Sequence, residues 1–419
     1  MEYIKSKDIF VLMKNTVRLI HPRLIDHGYR VAYMVYKMLE DKGGYEEFEL
    51  ADIVMLVTFH DIGAYKTEAG ALNDMLRYES RDSRAHTIYG YLFFKYLSPV
   101  EELAKVIMYH HMDYEQLQKV DYAYKDLAAY LNIAEKMDIY HSAMGSQFNM
   151  QMFHKQAGTK LSEEGLNRFY TVAKKYDIFG NLQSGEYKKD LEYIIDFMIF
   201  SNEGKKKFLD MLMYCTGFRN EQCVIDAITT IHICDALATK LLMTEDMKEK
   251  LYYGALLHDL GMLAIPRNIV EAPRKLNSEE MKKVRLHVNE TEKVLNKTLR
   301  DDVLSIVLGH HERGDGSGYP KKIKASHTTQ EQKVLQIADM VTGMTNKRPY
   351  REQPIGKEKV IAILQEEINK NRLDRQAVNT FINFYDNIME EVKKESAQVM
   401  KTYQTLNSQY EQLSKRFKK

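Results

Sequence analysis

Residues 255–263, ALLHDLGML, decide the fold once they are set beside residues 57–65, VTFHDIGAY: each has an apolar run, a His-Asp pair and a glycine two residues beyond the aspartate. The correspondence continues outward on both sides. His27 in IDHGYRVAYMV matches His232 in IHICDALAT, and His86 in SRAHTIYGYLF matches His287 in VRLHVNETEKVL. His110-His111 in VIMYHHMDY match His310-His311 in IVLGHHERG, and Glu135 in LNIAEKMD stands where LQIADMVT has Asp339. In chain order the offsets are 205, 198, 201, 200 and 204 residues, so the chain carries two copies of one domain with small insertions between matched segments.

Each copy reads as helical. Seven prolines in 419 residues, few alternating β-branched runs and apolar residues at three-to-four spacing (VAYMVYKMLE, IDAITTIHICDALATKLLM) predict an all-α protein. We expect one domain over 1–204, a second over 205–360, and a C-terminal extension over 361–419, with SNEGKKK at the joint. From Val378 the positions Ile382, Tyr385, Met389, Val392, Ser396, Val399, Tyr403, Leu406, Tyr410, Leu413 and Phe417 follow in steps of four and three. That seam predicts a long helix packed on a partner helix, either in this chain or in a second copy as a homodimer.

Composition narrows the function classes. With 60 basic and 59 acidic residues there is no net field to draw the protein to DNA or to an anionic membrane, so an anionic ligand must be caught locally. The N-terminus has no secretory pattern and no stretch reaches the roughly 20 apolar residues of a membrane span, so a cytoplasmic protein is expected. Cys215, Cys223 and Cys234 match no zinc spacing and read as reduced bystanders.

A lone His-Asp pair carries little information, whereas the ordered set carries a good deal. His232, His258, Asp259, His287, His310, His311 and Asp339 supply imidazole and carboxylate, the donors that suit borderline divalent ions. They suffice for two ions, with Asp259 as the bridging carboxylate, His258 bound from the same turn, and a metal-activated water as attacking group.

ALLHDLGMLAIPRNIV, RLHVNE, GHHERGDGSGYP, QIADMVTGMT and NKRPYR, in this order over roughly residues 225–355, resemble the successive motifs of the HD-GYP family within the HD superfamily. The resemblance implies a signalling phosphodiesterase that hydrolyses a cyclic dinucleotide, cyclic di-GMP or 3′,3′-cyclic GMP-AMP, with two iron or manganese ions per catalytic site. It makes the seven residues above the metal ligands, His258 and Asp259 the catalytic pair, and Arg348, Arg351 and Tyr319 the substrate contacts. Gly316 and Gly318 then let the backbone place Tyr319 at the site mouth. This sequence departs from the family at Met262, where a lysine that grips phosphate is usual; Arg267, Arg274 and Lys275 are candidate substitutes. It has Ile228 where a third-metal glutamate would stand, and Thr291 where glycine is usual, a difference read as minor packing.

The first copy keeps a possible second metal site in His27, His60, Asp61, His86, His110, His111 and Glu135, but HHMDYEQLQK lacks the GYP loop and nothing matches RPYR. It is expected to be a degenerate HD domain, and such a tandem is similar to cyclic GMP-AMP phosphodiesterases. The alternatives are a catalytically weak cyclic-dinucleotide sensor, suggested by Met262, and a broader HD nucleotide phosphohydrolase.

Overall fold

The computed structural model describes residues 3–67, 84–217, 221–351 and 353–417. Among these residues every regular element is a helix, with two isolated bridges and no strand, as the periodicity requires. The chain forms two compact units: His21–Met211 with Thr405–Lys419, and Met1–Ile20 with Leu212–Gln404.

These units are drawn differently from the expected 1–204, 205–360 and 361–419. The helix Ser6–Ile20 belongs with the second copy, where Asn15 donates from Nδ2 to the Val294 carbonyl at 3.2 Å and the Tyr3 ring lies 5.7 Å from that of Tyr253. Residues beyond 360 are no appendage. Leu364, Ile368, Ala377, Val378, Phe381, Ile388 and Val392 are buried in the same core as Leu335, Ala338 and Val341.

The heptad seam divides into two helices, Arg375–Asn383 and Tyr385–Phe417, because the chain leaves helical geometry at Phe384. Its partner lies in the same chain: Tyr385, Val392, Tyr403 and Leu406 are buried, and the Tyr403 ring stacks on Tyr214 at 6.1 Å. No described helix is long and apolar enough to cross a membrane.

Within the first unit the helix Pro22–Lys42 is central. Proline stands at its N-terminal turn, where a missing N–H costs nothing, and Val31, Ala32, Tyr33, Met34 and Val35 are fully buried around its circumference. The helix Gln330–Thr345 plays that part in the second unit, opened by a reciprocal Thr329/Gln332 capping box and buried through Val334, Leu335, Ile337 and Ala338.

In both units the His-Asp pair sits where a helix ends, at Glu47–Thr58 and at Glu245–Leu257. The glycine beyond it is obligatory. A Cβ on Gly63 would lie 2.1 Å from the His86 carbonyl oxygen, and one on Gly261 would lie 2.0 Å from that of His287. The helix carrying the third histidine is thereby pressed onto the His-Asp turn in both copies.

Candidate metal centres

In the second copy, ring orientation follows one rule. The Nδ1 of His258, His287 and His310 lies 2.8, 2.7 and 2.6 Å from the carbonyl oxygen three residues earlier, at Ala255, Val284 and Val307. A carbonyl can only accept, so each Nδ1 carries the proton and each Nε2 presents a bare lone pair to the interior. His287 and His310 face each other Nε2 to Nε2 at 3.2 Å, an arrangement of two acceptors that a cation between them would stabilise.

Asp259 divides its oxygens across the cluster: Oδ2 is 3.5 Å from His258 Nε2, while Oδ1 is 3.2 Å from His287 Nε2 and 3.8 Å from His310 Nε2. Asp339 faces His258 at 3.9 Å and His311 Nδ1 at 3.5 Å. The donors fall into two groups, His258/Asp259/Asp339 and His287/His310/His311, each within 4.8 Å, which suits two ions with Asp259 between them. His232 is half-buried and is not among these donors.

The two carboxylates are driven apart electrostatically. Burial raises Asp259, but His258, His287, His311 and Arg348 outweigh it and hold the group below its ordinary value; burial, reinforced by Asp259, raises Asp339. Burial pushes His310 and His311 well below the usual imidazole range, so both remain neutral and able to donate lone pairs.

The DGSGYP loop is held over this cluster by a residue that sequence reasoning passed over. Glu312, buried beside His311, accepts the Lys321 N–H at 2.7 Å and the Ile323 N–H at 2.8 Å. Gly318 crosses the Glu312–Arg313 backbone so closely that a Cβ would lie 2.4 Å from Arg313 N, and Gly316 has φ +80°. The result sets the Tyr319 ring 4.7 Å from that of His311, with the Arg285 guanidinium 5.0 Å from the Tyr319 ring centroid. Position next to a His-His pair was the signal that could have identified Glu312.

The two arginines of RPYR differ. Arg348 pairs with Asp226, which also accepts from Asn346 Nδ2 at 2.8 Å, and its charge is felt by Asp259. Arg351 spends Nη2 on the carbonyls of Gly343, Met344 and Asn346 at 2.9, 2.8 and 2.9 Å, which closes the C-terminus of the Gln330–Thr345 helix. Two of the three candidate substitutes for the missing lysine carry ion pairs: Arg267 with Glu271 at 2.8 Å and Arg274 with Glu280 through two bonds. Thr291 does more than pack. Its Oγ1 accepts from Gly261 N–H at 2.8 Å and donates to the His258 carbonyl at 3.2 Å, locking the His-Asp turn.

The first copy gathers all seven of its expected residues, as His27/His60/Asp61/Glu135 and His86/His110/His111. His60 and His110 are anchored by Nδ1 on the Val57 and Ile107 carbonyls at 2.7 and 2.6 Å. His27 has a carboxylate instead: its Nδ1 donates to Asp138 at 2.6 Å, and Asp138 takes two further bonds from Arg30. Asp138 lies one helical turn after Glu135, a spacing visible in LNIAEKMD. In the second copy the matching position is Thr342, hydrogen-bonded to Thr230 at 2.9 Å. The cysteines form no disulfide, and burial pushes the Cys223 thiol up to about 12.

Two family models match, both described as HD domain, over residues 24–143 and 213–377. Over 388 residues, 85% of this chain and 86% of the relative, the chain is 24% identical to the 3′3′-cGAMP-specific phosphodiesterase 1 of Vibrio cholerae serotype O1. It is 32% identical over 125 residues to the cyclic di-GMP phosphodiesterase response regulator RpfG of Xanthomonas campestris pv. campestris, covering 29% of this chain and 33% of that protein. In fold it is similar to the crystal structure of a cyclic GMP-AMP specific phosphodiesterase of V. cholerae, V-cGAP3, with a TM-score of 0.60, 14% identity and coverage of 92% of this chain and 98% of that one.

Proposed function

From the premise that this chain is a tandem HD-domain protein of the HD-GYP type, we propose that its second copy hydrolyses a phosphodiester bond of a cyclic dinucleotide, 3′,3′-cyclic GMP-AMP or cyclic di-GMP. The observation that carries the assignment to the second copy is its open face. The Asp259 side chain is 45% exposed, against 5% for Asp61, and Asp339 is 20% exposed, against 0% for Glu135. A substrate phosphate can reach the one set of carboxylates and not the other.

His232, His258, Asp259, His287, His310, His311 and Asp339 are the proposed ligands of two divalent ions, iron or manganese, six of them gathered in the two donor groups. Ions bound there supply Lewis acidity at phosphorus and an acidified water. The chain itself supplies the rest. Asp259 stays ionised and spans both donor groups, and the carbonyl-anchored imidazoles keep their lone pairs fixed on the site. Arg348, oriented by Asp226, is placed to take a phosphate oxygen. Burial raises the Tyr319 hydroxyl above its ordinary value, so it remains a donor, and the ring offers a face on which a base can stack. Arg285, held against that ring and paired to no carboxylate through a hydrogen bond among the described contacts, takes the cationic part that Met262 leaves vacant. Arg351 is assigned to the helix terminus instead.

Anaerobically prepared protein loaded with iron or manganese and given each cyclic dinucleotide is expected to release a linear dinucleotide or mononucleotides. Binding without turnover would instead identify a sensor, the reading that Met262 favours.

A further inference from the structure

We propose that the first copy is a closed metal centre: a site that holds first-row divalent ions as structural parts of the His21–Met211 unit and presents no position to a phosphodiester. The inference concerns a different site from the proposed hydrolytic one and stands whether or not the second copy turns over a cyclic dinucleotide.

Three buried imidazole nitrogens, Nε2 of His27, His60 and His110, have no hydrogen-bond partner. Each unpaired buried polar atom carries an uncompensated desolvation cost, and the three are aimed at the same interior. Their Nδ1 atoms are fixed by Asp138 and by the Val57 and Ile107 carbonyls, so rotation cannot relieve them. A divalent ion is the ligand that neutral imidazoles and ionised carboxylates accept together.

The donor sets also differ in number. His27, His60, Asp61 and Glu135 form a group of four, in which Asp138 and Arg30 lock His27 into place, where the corresponding group of the second copy, His258, Asp259 and Asp339, has three. Four protein donors fill a tetrahedral shell, the mark of a structural site, whereas three leave a position open. Exposure agrees for the four-donor group and its neighbours: His27, His60, His86, His110 and Glu135 are each no more than 2% exposed, while His111, at 17%, stands at the edge of the cluster. Asp61 Oδ1 lies 3.3 Å from His86 Nε2 and its Oδ2 3.6 Å from His60 Nε2, which joins the two donor groups through one carboxylate.

The test follows release of iron or manganese from the full-length chain to a chelator, by metal analysis, with thermal unfolding recorded in parallel. Wild-type protein is expected to lose its ions in two phases, the slower at least about tenfold slower and holding about two ions per chain. His310→Ala is expected to abolish the fast phase alone, and His110→Ala the slow phase alone. Late chelation is expected to lower the melting temperature, and early chelation to leave it nearly unchanged. Should His110→Ala fail to fold, Asp138→Asn provides the second route: it keeps the shape and is expected to speed slow-phase release roughly 10- to 100-fold. A single release phase, or a slow phase that survives His110→Ala or is unchanged by Asp138→Asn, overturns the proposal.

Discussion

Asp61 and Asp259 occupy equivalent places in two copies of one domain, yet one is enclosed and the other faces solvent, and on this contrast the proposed chemistry is assigned to the second copy. Around Asp259 the residues proposed to recognise an anion come from separate segments, so their importance is testable one at a time. Arg285→Ala is expected to raise KM about tenfold with a smaller change in kcat, because its proposed role is to hold substrate and to touch no reacting atom. Steady-state kinetics at fixed ionic strength decide it, and an unchanged KM would remove Arg285 from the site. Arg351→Lys is expected to act chiefly on stability, since a lysine cannot serve three carbonyls with one planar group. The metal-ligand types were legible in the sequence because His and Asp recur in the same order in both halves. Arg285, Glu312, Asp226 and Asp138 were not, because what matters in each is a contact across more than one turn of chain.

At the scale of elements, two tight crossings hold each site together. Gly261→Ala puts a Cβ 2.0 Å from the His287 carbonyl oxygen and 2.6 Å from Thr291 N, both backbone atoms, so no rotamer change can accommodate it. A loss of about 3 kcal/mol or more is expected from chemical denaturation of the second unit. Glu312→Ala removes the buried acceptor of two loop N–H groups, at Lys321 and Ile323, and is expected to free the GYP loop, with activity falling at least about tenfold while helix content by circular dichroism is retained. Full activity in that variant would show that the loop is held by other means. Helix existence was plain from the apolar spacing. The break at Phe384 was not, because Val378, Ile382 and Tyr385 keep a seam spacing across it and only the local backbone differs.

Across the whole molecule, buried histidines and carboxylates tie stability to pH. His60 is depressed to about 4 in the folded state, so between its unfolded value near 6.5 and about 4 the unfolded chain binds more protons than the folded one, and stability falls as pH falls through that window. Asp138, which burial raises but which hydrogen bonds from His27 and Arg30 bring down to about 2, adds a loss in the same direction below about 4. Metal-stripped protein is therefore expected to show a lower urea midpoint at pH 5 than at pH 7.5, and an equal or higher one would contradict these assignments. The repeat announced the two-unit plan in advance. It could not announce that Met1–Ile20 joins the second unit, because those residues lie outside the matched segments and their partners, Tyr253 and Val294, are far away in sequence. The most direct test of the account is the hydrolysis rate of cyclic GMP-AMP and cyclic di-GMP by the metal-loaded chain carrying His258→Ala or, separately, His60→Ala. The account predicts that His258→Ala abolishes product formation while His60→Ala leaves a folded enzyme with most of its turnover; loss of hydrolysis in a folded His60→Ala protein with His258→Ala still active would contradict it.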